Sequence, residues 1–275
     1  MKENYIESYF DLEGHEYTRK SLSKRFIVLF AGTKFMTDRL LALLGLIIFS
    51  PLMLIISIII KLDSKGPVLF KQIRTGKKGK EIYIYKFRSM VANNNVRDFS
   101  KQDEHTKVGT FLRKTSLDEL PQLISILKGD MSFIGPRPWI PEYYENMDEI
   151  QRHRCDVRPG LTGLAQCMGR NDITIFDKIN YDLKYIKDYS LRQDIKIILL
   201  TIKTVFTKQG ADAGKGTIHD ELEELKTVND RKKVKKIDQE NEKINELIEG
   251  NEIVVEEKRE TEEYEGIQEE GVQAV

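Results

Sequence analysis

Cysteine is scarce: Cys155 and Cys167 are the two in 275 residues, twelve apart and without a second pair. That excludes a disulfide framework and offers no zinc-ligand spacing, so both are expected as reduced packing residues of a cytoplasmic body. The opening MKENYIESYFDLEGHEY is too acidic and too little apolar for a secretory leader, so none is expected there. There is no internal repeat and no net charge, with 44 Lys+Arg against 44 Asp+Glu. That neutrality holds only on average. Residues 211–275 carry 20 acidic and 10 basic side chains, a net of −10, which leaves the first 210 residues at 34 basic against 24 acidic, a net of +10. A basic body suits an anionic membrane surface and an anionic substrate; no nucleic-acid partner is expected.

Leu40 to Ile60 contains no charge, about the length a bilayer-spanning helix needs. At its centre stands Ser50-Pro51. Proline has no N–H for the Ile47 carbonyl and its ring presses on that oxygen, which bends or breaks a helix. The Ser50 hydroxyl is positioned to re-satisfy the freed carbonyl. Basic residues flank both ends, Lys24, Arg25, Lys34 and Arg39 before and Lys61, Lys65, Lys71 and Arg74 after. Such residues mark the cytoplasmic side of a membrane segment. A straight, proline-kinked span satisfies one flank and violates the other, whereas a re-entrant helix–break–helix keeps both in the cytoplasm.

The rest reads as an α-rich α+β body. Residues 1–34 form a polar lead ending in a short interfacial turn at 26-FIVLF-30, and 35–62 form the membrane element. Residues 63–210 form the cytoplasmic domain, and 211–275 an acidic tail, helical or disordered. Two Val/Ile/Tyr/Phe-rich runs in 67–90, joined through Gly76 and Gly79, predict a β-hairpin. A polar linker follows at 92–107. Helical spacing predicts helices over 111–130, with Leu117, Leu120, Leu123, Ile124 and Leu127 on one face, and over 142–154. It predicts another over 176–207, with a stripe of Ile195, Ile198, Leu199, Ile202 and Val205.

Asp118 and Glu119 are the carboxylates to weigh. In 116-SLDELPQL-123, Ser116 followed three residues on by Glu119 has the pattern of a capping box, a complete structural explanation. Their company suggests chemistry instead. A carboxylate pair in a chain with arginine turns beside a membrane element suits a phosphate substrate, held by guanidinium forks and by a divalent metal on carboxylate oxygen. A carboxylate can also be the nucleophile. Arg137 in 135-GPRP-138 and Arg158 in 158-RPGLTG-163 stand in rigid turns, where Gly135, Gly160 and Gly163 would let backbone approach a ligand; plain surface corners have the same composition.

The succession of a Ser-Pro-broken membrane helix, FKQIRTG, YKFRSM, SLDELPQL, GDMSFIGPRP and RPGLTG resembles the bacterial sugar transferase family, the monotopic phosphoglycosyl transferases. The resemblance covers roughly residues 33–208. It implies a UDP-sugar and polyprenyl (undecaprenyl) phosphate as substrates, and polyprenyl-diphosphate-sugar and UMP as products. It further implies Asp118 as nucleophile on the β-phosphate, Glu119 with Asp118 at Mg²⁺, and Lys86, Arg88, Arg137 and Arg158 around phosphate and nucleotide. Ser50 and Pro51 match the re-entrant break, and the expected location is the inner (plasma) membrane with the catalytic domain on its cytoplasmic face. The implied architecture is a re-entrant helix, interfacial helices and a small β-hairpin. Two rivals remain at this point: a non-catalytic membrane-anchored scaffold of a polysaccharide assembly complex, and a metal-dependent glycosyl transferase that releases UDP.

Overall fold

In a computed structural model of the chain, the described residues are 8–10, 16–18, 24–91, 106–169, 173–207, 218–235 and 237. Two compact units are present, Met1–Lys226 and Thr227–Val275; in the second, residues 227–235 are helical. The expected boundary at 210/211, most of the polar linker and the tail beyond 237 lie outside the described residues.

The first unit opens with an antiparallel strand pair, β1 (Ser8–Phe10) and β2 (Glu16–Thr18), followed by a 40-residue helix, α1 (Lys24–Asp63). This single helical run takes in both the expected turn at 26–30 and the segment 35–62. Helical backbone continues through Pro51, because Ser50 Oγ donates to the Ile47 carbonyl at 2.8 Å, the bond the proline cannot make. The helix has the length and apolarity of a membrane segment, with mean hydropathy 2.9 over its most apolar stretch.

Burial along α1 is periodic on two arms and lapses between them. Lys34, Asp38 and Ala42 are buried on the first arm and Ile56 and Ile60 on the second, whereas residues 47–51 are exposed on every side. The first arm is held by polar contacts: Lys34 pairs with Asp194, and Ser132 Oγ donates to Asp38 at 2.6 Å. In each contact the partner, Asp194 or Ser132, comes from the body that follows. At the second arm, Arg88 donates to the carbonyls of Ser64 at 2.7 Å and Lys65 at 3.0 Å, closing off orphan acceptors at the helix end.

The predicted hairpin is present: β3 (Leu69–Thr75) pairs antiparallel with β4 (Glu81–Phe87), turned by a 3₁₀ segment at Lys77–Gly79. The predicted helix 111–130 is broken into three pieces. These are α2 (Lys107–Lys114), a 3₁₀ segment Leu117–Gln122 and α3 (Leu123–Lys128). Ser116 sits in the left-handed region at φ 57°, so the 3.6-residue face cannot run through. Leu117 and Leu120 pack with Ile56, Ile60, Phe87 and Leu112, while Leu123, Ile126 and Leu127 join Ala42, Ile82 and Ile84. At Gly129, φ of +88° favours glycine, and a Cβ there would meet the Phe35 ring of α1 at 2.7 Å.

A parallel pair, β5 (Ser132–Ile134) and β6 (Gly160–Thr162), joins the two arginine turns. Between and after them come α4 (Pro141–Glu145), α5 (Glu149–Arg152), α6 (Leu164–Met168), α7 (Ile175–Lys187) and α8 (Leu191–Thr207). The single helix expected over 176–207 is two. The stripe Ile195, Ile198, Leu199 and Ile202 faces outward, 45–63% exposed, because α8 meets the body through Asp194, Ile197 and Thr204. Tyr185 OH donates to Asp194 at 2.8 Å, so a polar anchor, not the stripe, sets the helix's rotation. Residues 218–226 belong to the first unit, with Leu225 fully buried among Tyr143, Met147, Ile175 and Ile179.

Candidate active site

The dyad lies in the first turn of the 3₁₀ segment, against the inner face of the hairpin. On β3 and β4, Phe70 pairs with Lys86, Gln72 with Ile84 and Arg74 with Ile82, so Gln72, Arg74 and Lys86 share one face. Lys86 Nζ donates to Glu119 Oε1 at 2.6 Å, and Arg137 Nη2 donates to the same oxygen at 3.0 Å. The capping box is absent: Ser116 makes no side-chain cap bond, and Glu119 turns toward the two cations instead. A serine held at positive φ just before the dyad is strained backbone of the kind that functional sites retain, at about 1–2 kcal/mol.

The two carboxylates sit in opposite electrostatic states. Burial pushes Glu119 up, but Arg137 and Lys86 together outweigh it and hold the carboxyl at about 2. Asp118 is 8% exposed and has no hydrogen-bond or ion-pair partner among the described residues. Burial pushes its carboxyl above the ordinary range, with Glu119 adding to the rise and Lys86, Arg113 and Arg137 opposing it. Lys86 is in turn pulled down by burial against the pull of Glu119. An ion-paired carboxylate thus stands beside an uncommitted one whose oxygens are available.

Of the basic residues expected here, Lys86 and Arg137 join the dyad. Arg88 and Arg158 make no hydrogen bond or ion pair with it. Arg88 closes the end of α1. Arg158 Nε donates to the Gly129 carbonyl at 2.9 Å, and its guanidinium lies 4.1 Å from the centre of the Phe35 ring. The glycines of the two turns serve each other: Gly135 N–H donates to the Thr162 carbonyl at 2.9 Å and Gly160 N–H to that of Pro136 at 2.9 Å. A Cβ on Gly135 would strike the Arg158 carbonyl and one on Gly160 the Gly135 amide. Their close approach is backbone to backbone.

Sequence reasoning missed Arg154, 2% exposed. It donates to Asp182 Oδ2 through Nε at 3.0 Å and Nη2 at 2.6 Å, and to the Arg137 carbonyl at 2.9 Å, and stacks 3.6 Å from the centre of the Trp139 ring. That lattice fixes the backbone from which Arg137 reaches Glu119. Among the described residues no three metal-ligating side chains converge. Two adjacent carboxylates, one without partners, nonetheless suit Mg²⁺, which takes one or two carboxylates and fills its other positions with water and substrate phosphate.

Residues 30–208 match the bacterial sugar transferase family, which spans every element of this site. The chain belongs to that family. It is similar to the UDP-glucose:undecaprenyl-phosphate glucose-1-phosphate transferase of Klebsiella pneumoniae, 44% identical over 190 residues that cover 65% of this chain and 41% of the relative. It is also similar to the galactosyl transferase CpsE of Streptococcus agalactiae, 42% identical over 186 residues, 62% of this chain and 41% of that one. EpsL, an uncharacterized sugar transferase of Bacillus subtilis, is 42% identical over 154 residues, 55% of this chain and 76% of that protein. The chain therefore spans about two fifths of the length of the first two of these relatives.

Proposed function

We propose that this family member transfers a sugar-1-phosphate from a UDP-sugar to polyprenyl phosphate, undecaprenyl phosphate in particular, and releases UMP. The observation that carries the reading is the uncommitted Asp118 carboxylate beside a Glu119 already neutralised by Lys86 and Arg137. A scaffold has no use for that arrangement. In the first step an Asp118 oxygen bonds to the β-phosphorus, the bond from that phosphorus to the bridging oxygen breaks, and UMP leaves with the electron pair. In the second, a polyprenyl phosphate oxygen bonds to the same phosphorus and the Asp118 carboxylate is released. A covalent store lets one site serve a soluble and a lipid substrate in turn. Arg137 and Lys86 offset charge on the transferred group. Mg²⁺, held by Asp118 and Glu119, supplies further charge neutralisation when bound.

The same reading places both ends of α1 on the cytoplasmic face of the plasma membrane, in a re-entrant hairpin whose apex is Ser50-Pro51. A straight 40-residue helix is about 60 Å long, roughly twice the hydrocarbon thickness. Support comes from the two tethered arms, Lys34 to Asp194 and Ser64 to Arg88, and from the exposed helical stretch at 47–51 between them. The outward stripe of α8 suits the lipid interface. The test is a panel of UDP-sugars with undecaprenyl phosphate: UMP release with one of them supports the reading. UDP release would assign a glycosyl transferase, and no turnover with any would reject it.

A further inference from the structure

The hairpin face that carries Lys86 also carries a cation that the chemistry above does not use. Arg74 is half-buried at the end of β3. Its Nε and Nη2 both donate to Gln72 Oε1, at 3.1 and 2.6 Å, and it makes no ion pair among the described residues. A guanidinium has five N–H donors, so three remain unused. A half-buried cation satisfied by one neutral amide oxygen is costly unless something anionic completes it.

Its position is fixed by the docking of β3. Thr75 N–H donates to the Trp139 carbonyl at 2.7 Å, which docks the end of β3 against the loop bearing Arg137. Arg74 lies four residues beyond Phe70, the partner of Lys86, about 13 Å along the strand. Asp118 lies in the field of Lys86, Arg113, Arg137 and Glu119. Arg74 instead lies in that of Arg137, Tyr143, Glu119 and Glu142, and burial together with Arg137 pulls it down to about 10, still charged at neutral pH. Arg137 is the group the two neighbourhoods share with Glu119.

We propose that Arg74, oriented by Gln72, binds the phosphate that departs with the nucleotide, one step along the hairpin from the phosphorus that Asp118 attacks. A diphosphate laid along this face has its reacting phosphate between Lys86 and Arg137 and its other phosphate between Arg137 and Arg74. The planar fork held by Gln72 matches two phosphate oxygens, which a lysine would not. This assignment rests on the nucleotide-diphosphate donor proposed above.

The test is equilibrium binding of UMP to the purified full chain in detergent, for wild type, Arg74→Ala, Arg74→Lys and Gln72→Ala, each with a thermal melt as a control for folding. Loss of a charged hydrogen-bonding pair predicts UMP affinity lower by about ten- to a hundredfold in Arg74→Ala. Arg74→Lys should lose most of that affinity while keeping the charge, and Gln72→Ala should show a smaller loss with the guanidinium intact. UMP binding by Arg74→Lys and Gln72→Ala equal to wild type overturns the assignment and leaves the proposed reaction standing. A wild-type chain that binds neither UMP nor UDP overturns the donor and this assignment together.

Discussion

Replacing each member of the dyad by its amide should move stability in opposite directions. The charged form of Glu119 is favoured by folding: a drop from 4.5 to about 2 corresponds to about 3 kcal/mol at roughly 1.36 kcal/mol per pH unit. Arg137 is 45% exposed, so water screens part of this and nearer 2 kcal/mol is expected. Its folded value lies below the unfolded one, so the contribution is complete above about 4.5 and is lost as pH falls through about 2. Glu119→Gln at neutral pH should therefore lower Tm by about 4–8 °C for a domain of this size. Asp118 has the opposite sign. Its folded value is raised, so its charged form costs stability at neutral pH, and the cost fades as pH falls through that value. Asp118→Asn should melt at or above the wild-type temperature, with the gap closing in acid, yet lose turnover by about 10⁴-fold or more, as removal of a nucleophile does. Melts of both variants in detergent from pH 4 to 8, with UMP release measured beside them, decide it. An Asp118→Asn chain destabilised as much as Glu119→Gln would make Asp118 a structural residue and refute the reasoning.

Three further outcomes follow from the same geometry. The acid limb of the pH–rate profile should lie above the ordinary aspartate value of 3.8 and belong to Asp118, since Glu119 stays ionised down to about 2. Glu119→Gln removes a negative neighbour and should move what activity remains to lower pH; a limb that stays or rises contradicts this. Arg137→Ala should lower kcat/KM by one to two decades, the worth of about 1.5–3 kcal/mol for a charged hydrogen bond, with Glu119 still held by Lys86; unchanged kinetics would assign Arg137 to the surface. Single cysteines placed near residues 24 and 65, in a chain with Cys155 and Cys167 replaced, should both label from the cytoplasmic side of inverted vesicles, and labelling from opposite sides would reject the hairpin.

What was readable in the sequence was local. The hairpin was legible because two runs rich in Val, Ile, Tyr and Phe flank a loop with Gly76 and Gly79, and the Ser50 bond because the carbonyl freed by a proline is always four residues back. The capping-box pattern at Ser116 and Glu119 was also legible and pointed the wrong way, since Lys86 and Arg137, far off in sequence, offer Glu119 a stronger partner than a backbone N–H. The helix over 111–130 and the apolar stripe of α8 misled for a related reason: periodicity reports that a face is apolar, not what it faces. Arg154 with Asp182, and Lys34 with Asp194, left no signal, because a buried ion pair 28 or 160 residues apart looks like two ordinary surface charges until the chain folds.

The most direct test of the mechanism is the intact mass of the full chain after incubation with a UDP-sugar that supports turnover and Mg²⁺, without polyprenyl phosphate. The account predicts one added phosphosugar per chain, mapped to Asp118 and absent from Asp118→Asn, with about one equivalent of UMP released and the adduct discharged when polyprenyl phosphate is added. Full turnover with lipid from an Asp118→Asn chain, or a wild-type chain that turns over yet forms no adduct and releases no UMP before lipid is added, would contradict it.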